Sequence, residues 1–121
     1  MTDVTTTLPR SSDSVALARR LVDDDAAHLT RRRRADAALM VSELATNALR
    51  HGQGAVTIRI VVAPDSLTVE VADQGHGTVV MTPEPGMSGG WGLRIVDALA
   101  DGWGASAGST RVWFRVLVAG A

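Results

Sequence analysis

Residues 41–52 read VSELATNALRHG, and this stretch decides the fold. At about 100° per residue, its small apolar side chains fall on one side of a helix, which Gly52 or Gly54 ends. Glu43 and Asn47 fall on the opposite side, one turn apart, so their side chains lie next to each other. The plain interpretation is a solvated helix face. The chemical one is a pair of oxygen ligands suited to a hard cation, with Glu43 also able to act as a general base.

Two further helices are predicted on either side of this pattern. Residues 11–29, SSDSVALARRLVDDDAAHL, have apolar side chains at helical spacing and a serine cap at position 11 or 12. The central helix begins after Thr30 with the run Arg31 to Arg34, which we interpret as a solvated turn that can pair with the preceding aspartates. A third helix is predicted from about Leu93, over LRIVDALAD.

Three segments alternate apolar and polar residues with the period of a strand. They are AVTIRIVVA at 55–63, SLTVEVAD at 66–73 and TRVWFRVLV at 110–118, and residues 4–8 form either an edge strand or a loose tail. The order strand, two helices, hairpin, loop, helix and two strands predicts an α/β (α+β) two-layer sandwich. We expect a mixed, mostly antiparallel sheet with helices on one face, in a single domain of residues 1–121.

The strand that ends in Asp73 places a carboxylate where the alternation points toward the core. An unpaired buried carboxylate is costly, so Asp73 needs hydrogen-bond donors. It either accepts amides of the following turn or accepts a hydrogen bond from a ligand amine at the floor of a pocket. The sequence DQGHG at 73–77 favours the second possibility, because Gly75 and Gly77 leave the backbone beside the carboxylate accessible.

The segment GMSGGWGLRIVDALA at 86–100 leads through glycines into a helix. The first amides of a helix have no internal partner and favour anions, which makes this a general phosphate site. A flexible connector with a glycine cap is the plain alternative.

Composition excludes several classes of function. The 121 residues include no cysteine, which removes disulfides, thiolate metal sites and cysteine nucleophiles. The absence of lysine excludes a Walker-type phosphate loop, and a net charge of −1 argues against general nucleic-acid binding. No membrane-spanning run or signal peptide is evident, so we expect a cytoplasmic protein.

Taken together, the motifs E-x-x-x-N, D-x-G-x-G and G-x-G-L resemble those of the Bergerat (GHKL) ATP-binding fold over residues 12 to 118. Within that superfamily, VSELATNALRHG, VADQGHG and GWGLRIVDALADGWG are similar to the anti-sigma-factor serine kinases of actinobacteria.

This resemblance implies ATP and Mg²⁺ as ligands. Asp73 would accept a hydrogen bond from the adenine amine, Asn47 would complete the magnesium shell, and Glu43 would be the catalytic base. The remaining implied nucleotide-binding residues are Gly75, Gly77, Gly90, Gly92, Leu93 and Thr110, with residues 78–89 as the lid. Trp91 departs from the pattern, because related proteins often carry an arginine there. Arg94 or Arg50 are candidates to replace that cation.

The resemblance also implies partners. A kinase of this kind sequesters a sigma factor and phosphorylates a STAS-type antagonist, and it is often a homodimer. The alternative is a non-catalytic, ATP-gated protein-binding module. A catalytic fragment of a histidine kinase is a weaker alternative, since we find no phospho-acceptor hairpin.

Overall fold

The computed structural model describes residues 1–75, 90–105 and 110–119. The elements occur in the predicted order, and within these residues they comprise five strands and three helices. They are β1 (Thr2–Leu8), α1 (Asp13–Asp24), α2 (Arg31–His51), β2 (Val56–Ala63), β3 (Ser66–Ala72), α3 (Gly90–Leu99), β4 (Gly102–Ala105) and β5 (Val112–Leu117). Gly77 and the proposed lid, residues 78–89, lie outside the described residues.

The strands form one sheet in the order β1-β2-β3-β5-β4. All four pairings between the described strands are antiparallel, so this part of the sheet has no parallel pairing of the kind a mixed sheet contains. Residues 2–8 are an edge strand rather than a loose tail, and the strand begins two residues before the predicted segment.

The core lies between one face of the sheet and the helices, as expected for a two-layer sandwich. Inward positions of the strands are buried, among them Ile58, Val69 and Phe114, and α2 packs on β2, β3 and β5. The buried side of α2 includes three alanines, whose small side chains let neighbouring elements approach the helix closely. Its buried residues are Ala37, Met40, Val41, Leu44, Ala45 and Ala48. Met40 is 0% exposed and belongs to the core.

The ends of α2 agree with the sequence prediction. Thr30 caps the helix, since its Oγ1 accepts a hydrogen bond from the Arg33 amide at 3.2 Å. Gly52 is the residue that follows the last helical turn, and its amide donates to the Ala48 carbonyl at 2.9 Å.

The predicted end of α1 was wrong. The helix stops at Asp24 instead of continuing to residue 29, and its last turn contains no basic residue. The consecutive aspartates at positions 23–25 disfavour a longer helix, because their negative charges lie at the negative, C-terminal end of the helix dipole. The chain instead turns tightly, with the Ala26 amide donating to the Asp23 carbonyl at 3.2 Å.

The arginine run at the start of α2 is paired rather than uniformly solvated. Arg34 donates to Asp23 through Nε and Nη2 at 2.7 and 2.9 Å, as the expected pairing with the preceding aspartates requires. The side chain of Arg33 is only 13% exposed and pairs with Asp36 and Asp101. The prediction of a solvated turn was therefore wrong for Arg33, which ties the start of α2 to the α3–β4 connection.

None of the helices within the described ranges is both long enough and apolar enough to cross a membrane.

The edge strand β1 is held by an ion pair on the sheet surface. Arg59 donates through Nε and Nη2 to the two carboxylate oxygens of Asp3 at 2.9 and 2.7 Å. This hydrogen-bonded pair lowers the pKa of Asp3 and raises that of Arg59.

A depressed carboxylate pKa makes a pH-dependent contribution to stability. The contribution of Asp3 is fully present above the ordinary aspartate pKa and is lost as pH falls through its lowered folded-state pKa. We therefore expect Asp3→Asn to lower the melting temperature slightly at pH 7, with a difference that shrinks as pH falls below the unfolded pKa of about 3.9 and disappears below the lowered folded-state pKa. Thermal unfolding of both proteins across this range measures it, and an equal difference at every pH would contradict the assignment.

Candidate functional site

The site forms where the end of β3 meets the end of α2. Asp73 directly follows β3, and its amide lies 3.3 Å from the Thr110 hydroxyl just before β5. The next residue, Gln74, donates its amide to the carbonyl of Gln53 at 2.8 Å. Backbone contacts thus join the helix layer and the sheet at this position.

The carboxylate of Asp73 is half-buried and oriented by two backbone amides. Its Oδ1 accepts hydrogen bonds from the Gly75 amide at 2.6 Å and the Gln53 amide at 3.3 Å. The first is the turn-capping bond that the sequence offered as an alternative. The second comes from the segment after α2, so the carboxylate is held by both layers and is not on the open outer surface.

Glycine is required where this carboxylate contacts α2. A Cβ added at Gly52 would lie 2.1 Å from Oδ2 of Asp73 and 2.5 Å from the Ala48 carbonyl oxygen. A Cβ at Gly75 would lie 2.8 Å from Oδ1 of Asp73 and 3.4 Å from Cγ2 of Thr110. The Asp73 carboxylate is therefore seated against the backbone of the last turn of α2.

Sequence reasoning missed this role of Gly52. The residue was predicted as a helix stop, and that explanation concealed its second function of making room for Asp73. The only local signal was the glycine itself, at the end of the helix that carries Glu43 and Asn47.

Glu43 and Asn47 lie on α2 as predicted, one turn apart and both half-buried. Asn47 immediately precedes Ala48, whose carbonyl borders the Asp73 contact. Within the described ranges, no group of three or more histidine or acidic side chains is placed to hold a metal ion. The side-chain oxygen of Asn47 still suits magnesium, which usually takes one or two protein oxygens and completes its shell with water and phosphate.

The phosphate-site prediction placed the start of α3 at about Leu93, which was three residues too late. The helix begins at Gly90, so Gly90, Gly92 and Leu93 all lie in its first turn. The side chains of Leu93 and Val96 are buried in the core, and this packing keeps the glycines helical despite their low propensity. First-turn amides have no partner within the helix, and anion binding by them stays a prediction.

The predicted pocket with Asp73 at its floor stays a prediction. Residues 76–89 and 106–109, which border this site in the sequence, lie outside the described residues.

A sequence model described as the histidine kinase-like ATPase domain matches residues 8–116. The chain belongs to this family. The match spans the strands and helices from the end of β1 to β5. No curated protein matches the chain.

Membership in the histidine kinase-like ATPase domain family agrees with the GHKL resemblance and with the two-layer fold. It also implies that the protein binds ATP.

We expect Gly52→Ala to weaken ATP binding about tenfold, because its Cβ displaces the Asp73 carboxylate. The φ of Gly52 is −91°, outside the left-handed region that favours glycine, so the effect of alanine comes from the atoms that its Cβ would meet. Gly102→Ala is the matched control, since a Cβ there would have its nearest neighbour at 3.6 Å, an ordinary contact.

Titration of ATP into both variants and into the Gly52→Ala/Asp73→Ala double variant measures the effect. The double variant should bind no worse than Asp73→Ala alone, because the two changes remove the same contact. Wild-type affinity in Gly52→Ala, or full additivity in the double variant, would contradict this site.

Proposed function

We propose that this protein is an ATP-dependent serine/threonine kinase of the anti-sigma type. It sequesters a sigma factor and phosphorylates a STAS-type antagonist protein. The observation that carries the proposal is the arrangement on α2, where Glu43 and Asn47 share one face and Asp73 is seated against the last turn. A base-recognition group, a magnesium ligand and a proton acceptor are then carried by one rigid helix and the strand end beside it.

Adenine is recognised by Asp73 in this proposal. Two amides already bind Oδ1 and fix the orientation of the carboxylate, so it can accept a hydrogen bond from the exocyclic amine without rearrangement. Gly75, Gly77 and Thr110 border the base. The Thr110 hydroxyl lies 3.3 Å from the amide and 3.4 Å from the carbonyl oxygen of Asp73. These contacts place Thr110 beside the residue that would recognise the base.

The phosphates bind at the start of α3 in this proposal. Amides of Gly90, Gly92 and Leu93 donate to them, and the buried side chain of Leu93 holds that turn in place. Asn47 holds magnesium, which neutralises charge on the phosphates when bound. Residues 78–89 would cover the triphosphate.

Glu43 acts as the general base. It accepts the proton of a serine hydroxyl on the partner while that oxygen bonds to the γ-phosphorus. The bond between the γ-phosphorus and the β–γ bridging oxygen breaks, and ADP leaves. Because phosphoryl transfer depends mainly on positioning and charge neutralisation, one positioned base with a metal and a row of amides is sufficient.

The partners are inferred from the resemblance of VSELATNALRHG and GWGLRIVDALADGWG to anti-sigma kinases. Because sigma factors act in the cytoplasm, the proposal includes a cytoplasmic location for this protein. It is also compatible with a homodimer.

A second candidate function is an ATP-gated binding module without catalysis. Trp91 favours it, because this residue stands in the first turn of α3 where related kinases often carry an arginine. In that case ATP binding changes the affinity for a partner, and no phosphate is transferred.

We expect Glu43→Gln to lower the rate of phosphate transfer to the antagonist at least a hundredfold, within the range for loss of a general base. ATP affinity should change less than about threefold, because Glu43 contacts neither base nor phosphate in this proposal. Radiolabel transfer from ATP to the antagonist and an ATP titration provide the two measurements.

Glu70→Gln is the control, since Glu70 lies on β3 and pairs with Arg111 at 3.4 Å, away from the α2 face. Equal transfer rates in Glu43→Gln and wild type would contradict the assignment. ATP-dependent partner binding without any transfer by wild type would support the second candidate function.

A further inference from the structure

Arg10 reaches from the β1–α1 connection to the C-terminal end of α2. Its Nη2 lies 3.0 Å from the carbonyl oxygen of Ala48, 2.6 Å from that of Leu49 and 2.7 Å from that of Gly52. Its Nη1 donates to the carbonyl of Gly54 at 3.1 Å. One guanidinium therefore lies within hydrogen-bond distance of four backbone carbonyls in the last turn of α2 and the segment that follows it, and the two N–H groups of Nη2 are shared among three of them.

The chemistry of a helix end explains this arrangement. The last four carbonyls of a helix have no amide partner within it, and the dipole makes this end negative. A planar cation with five N–H donors meets several such carbonyls at once. Arg10 thus caps α2 from a distant part of the sequence.

Two of the residues that Arg10 contacts lie on either side of one that binds Asp73. Gly52 and Gly54 flank Gln53, whose amide donates to Oδ1 of Asp73 at 3.3 Å. The Gln53 carbonyl accepts the Gln74 amide at 2.8 Å. Gly54 is locked at φ +68° with Gln74 so close that an added Cβ would lie 1.9 Å from its Oε1.

We propose that Arg10 is a positioning residue for the nucleotide site. It acts through the 52–54 segment, which keeps the Asp73 carboxylate seated against α2. The inference rests on the proposed role of Asp73 in base recognition. It adds that a residue of the β1–α1 connection affects the affinity for ATP without contacting the nucleotide.

The structure offers a matched comparison. Arg59 also ties β1 to the rest of the protein, but it lies on the sheet surface, where its hydrogen bonds go to Asp3. Arg59→Ala therefore controls for the loss of an arginine that anchors β1. Arg10→Lys keeps the charge at the helix end but cannot reach carbonyls on both sides of Gln53 with a single ammonium group.

The experiment measures ATP affinity by titration and backbone amide hydrogen exchange by NMR for wild type and these three variants. We expect Arg10→Ala to bind ATP about tenfold more weakly, Arg10→Lys to be intermediate, and Arg59→Ala to stay within about twofold. Without nucleotide, the Gln53 and Gly75 amides should exchange faster in Arg10→Ala, while the Arg33 amide at the other end of α2 should be unchanged.

The outcomes separate the two proposals. If wild type does not bind ATP, the proposed function fails, and amide exchange still decides whether Arg10 holds the 52–54 segment. Wild-type affinity and unchanged exchange at Gln53 in Arg10→Ala would overturn the inference. Faster exchange at Gln53 and Arg33 alike would also overturn it, because that result shows general destabilisation in place of positioning.

Discussion

The contact on which the rest of the structure depends is the seating of the Asp73 carboxylate against the last turn of α2. It requires a residue without a side chain at position 52, and it is held by amides from both the helix layer and the turn after β3. Because of it, the strand end and the polar face of α2 occupy fixed positions relative to each other. The chemistry proposed for Glu43 and Asn47 depends on this fixed relative position, here called the registration. A nucleotide whose base binds at Asp73 can react only if its phosphates reach the magnesium at Asn47 and the proton acceptor Glu43.

The registration depends in turn on fixing α2 at both ends. At its start, Arg33 pairs with Asp36 and Asp101 and brings in the α3–β4 connection. At its end, the guanidinium of Arg10 binds four backbone carbonyls. Between these anchors, alanine side chains let the helix lie close to the sheet. A helix held in this way loses little further freedom when nucleotide binds, which favours affinity.

Local patterns in the sequence were sufficient to predict the two-layer fold, the strands with their buried faces, and the limits of α2. They placed Asp73 and the Glu43–Asn47 pair correctly along these elements. They failed where long-range packing decides the outcome. Arg10 binds carbonyls 38 to 44 positions away. Gly52 makes room for Asp73, which directly follows β3. The helix α3 begins at Gly90, three residues before the buried Leu93. No periodicity or propensity encodes such contacts.

The most direct measurement of the central claim is the preference for ATP over GTP in wild type and Asp73→Asn. A carboxylate oriented toward the base accepts a hydrogen bond from the adenine amine, and it repels the oxygen that guanine carries at the same position. Wild type should therefore bind ATP at least about tenfold more tightly than GTP, a difference of about 1.4 kcal/mol. In Asp73→Asn the amide can donate to guanine, so the ratio should fall toward one. Equal binding of both nucleotides by wild type, or the same preference in the variant, would contradict the account.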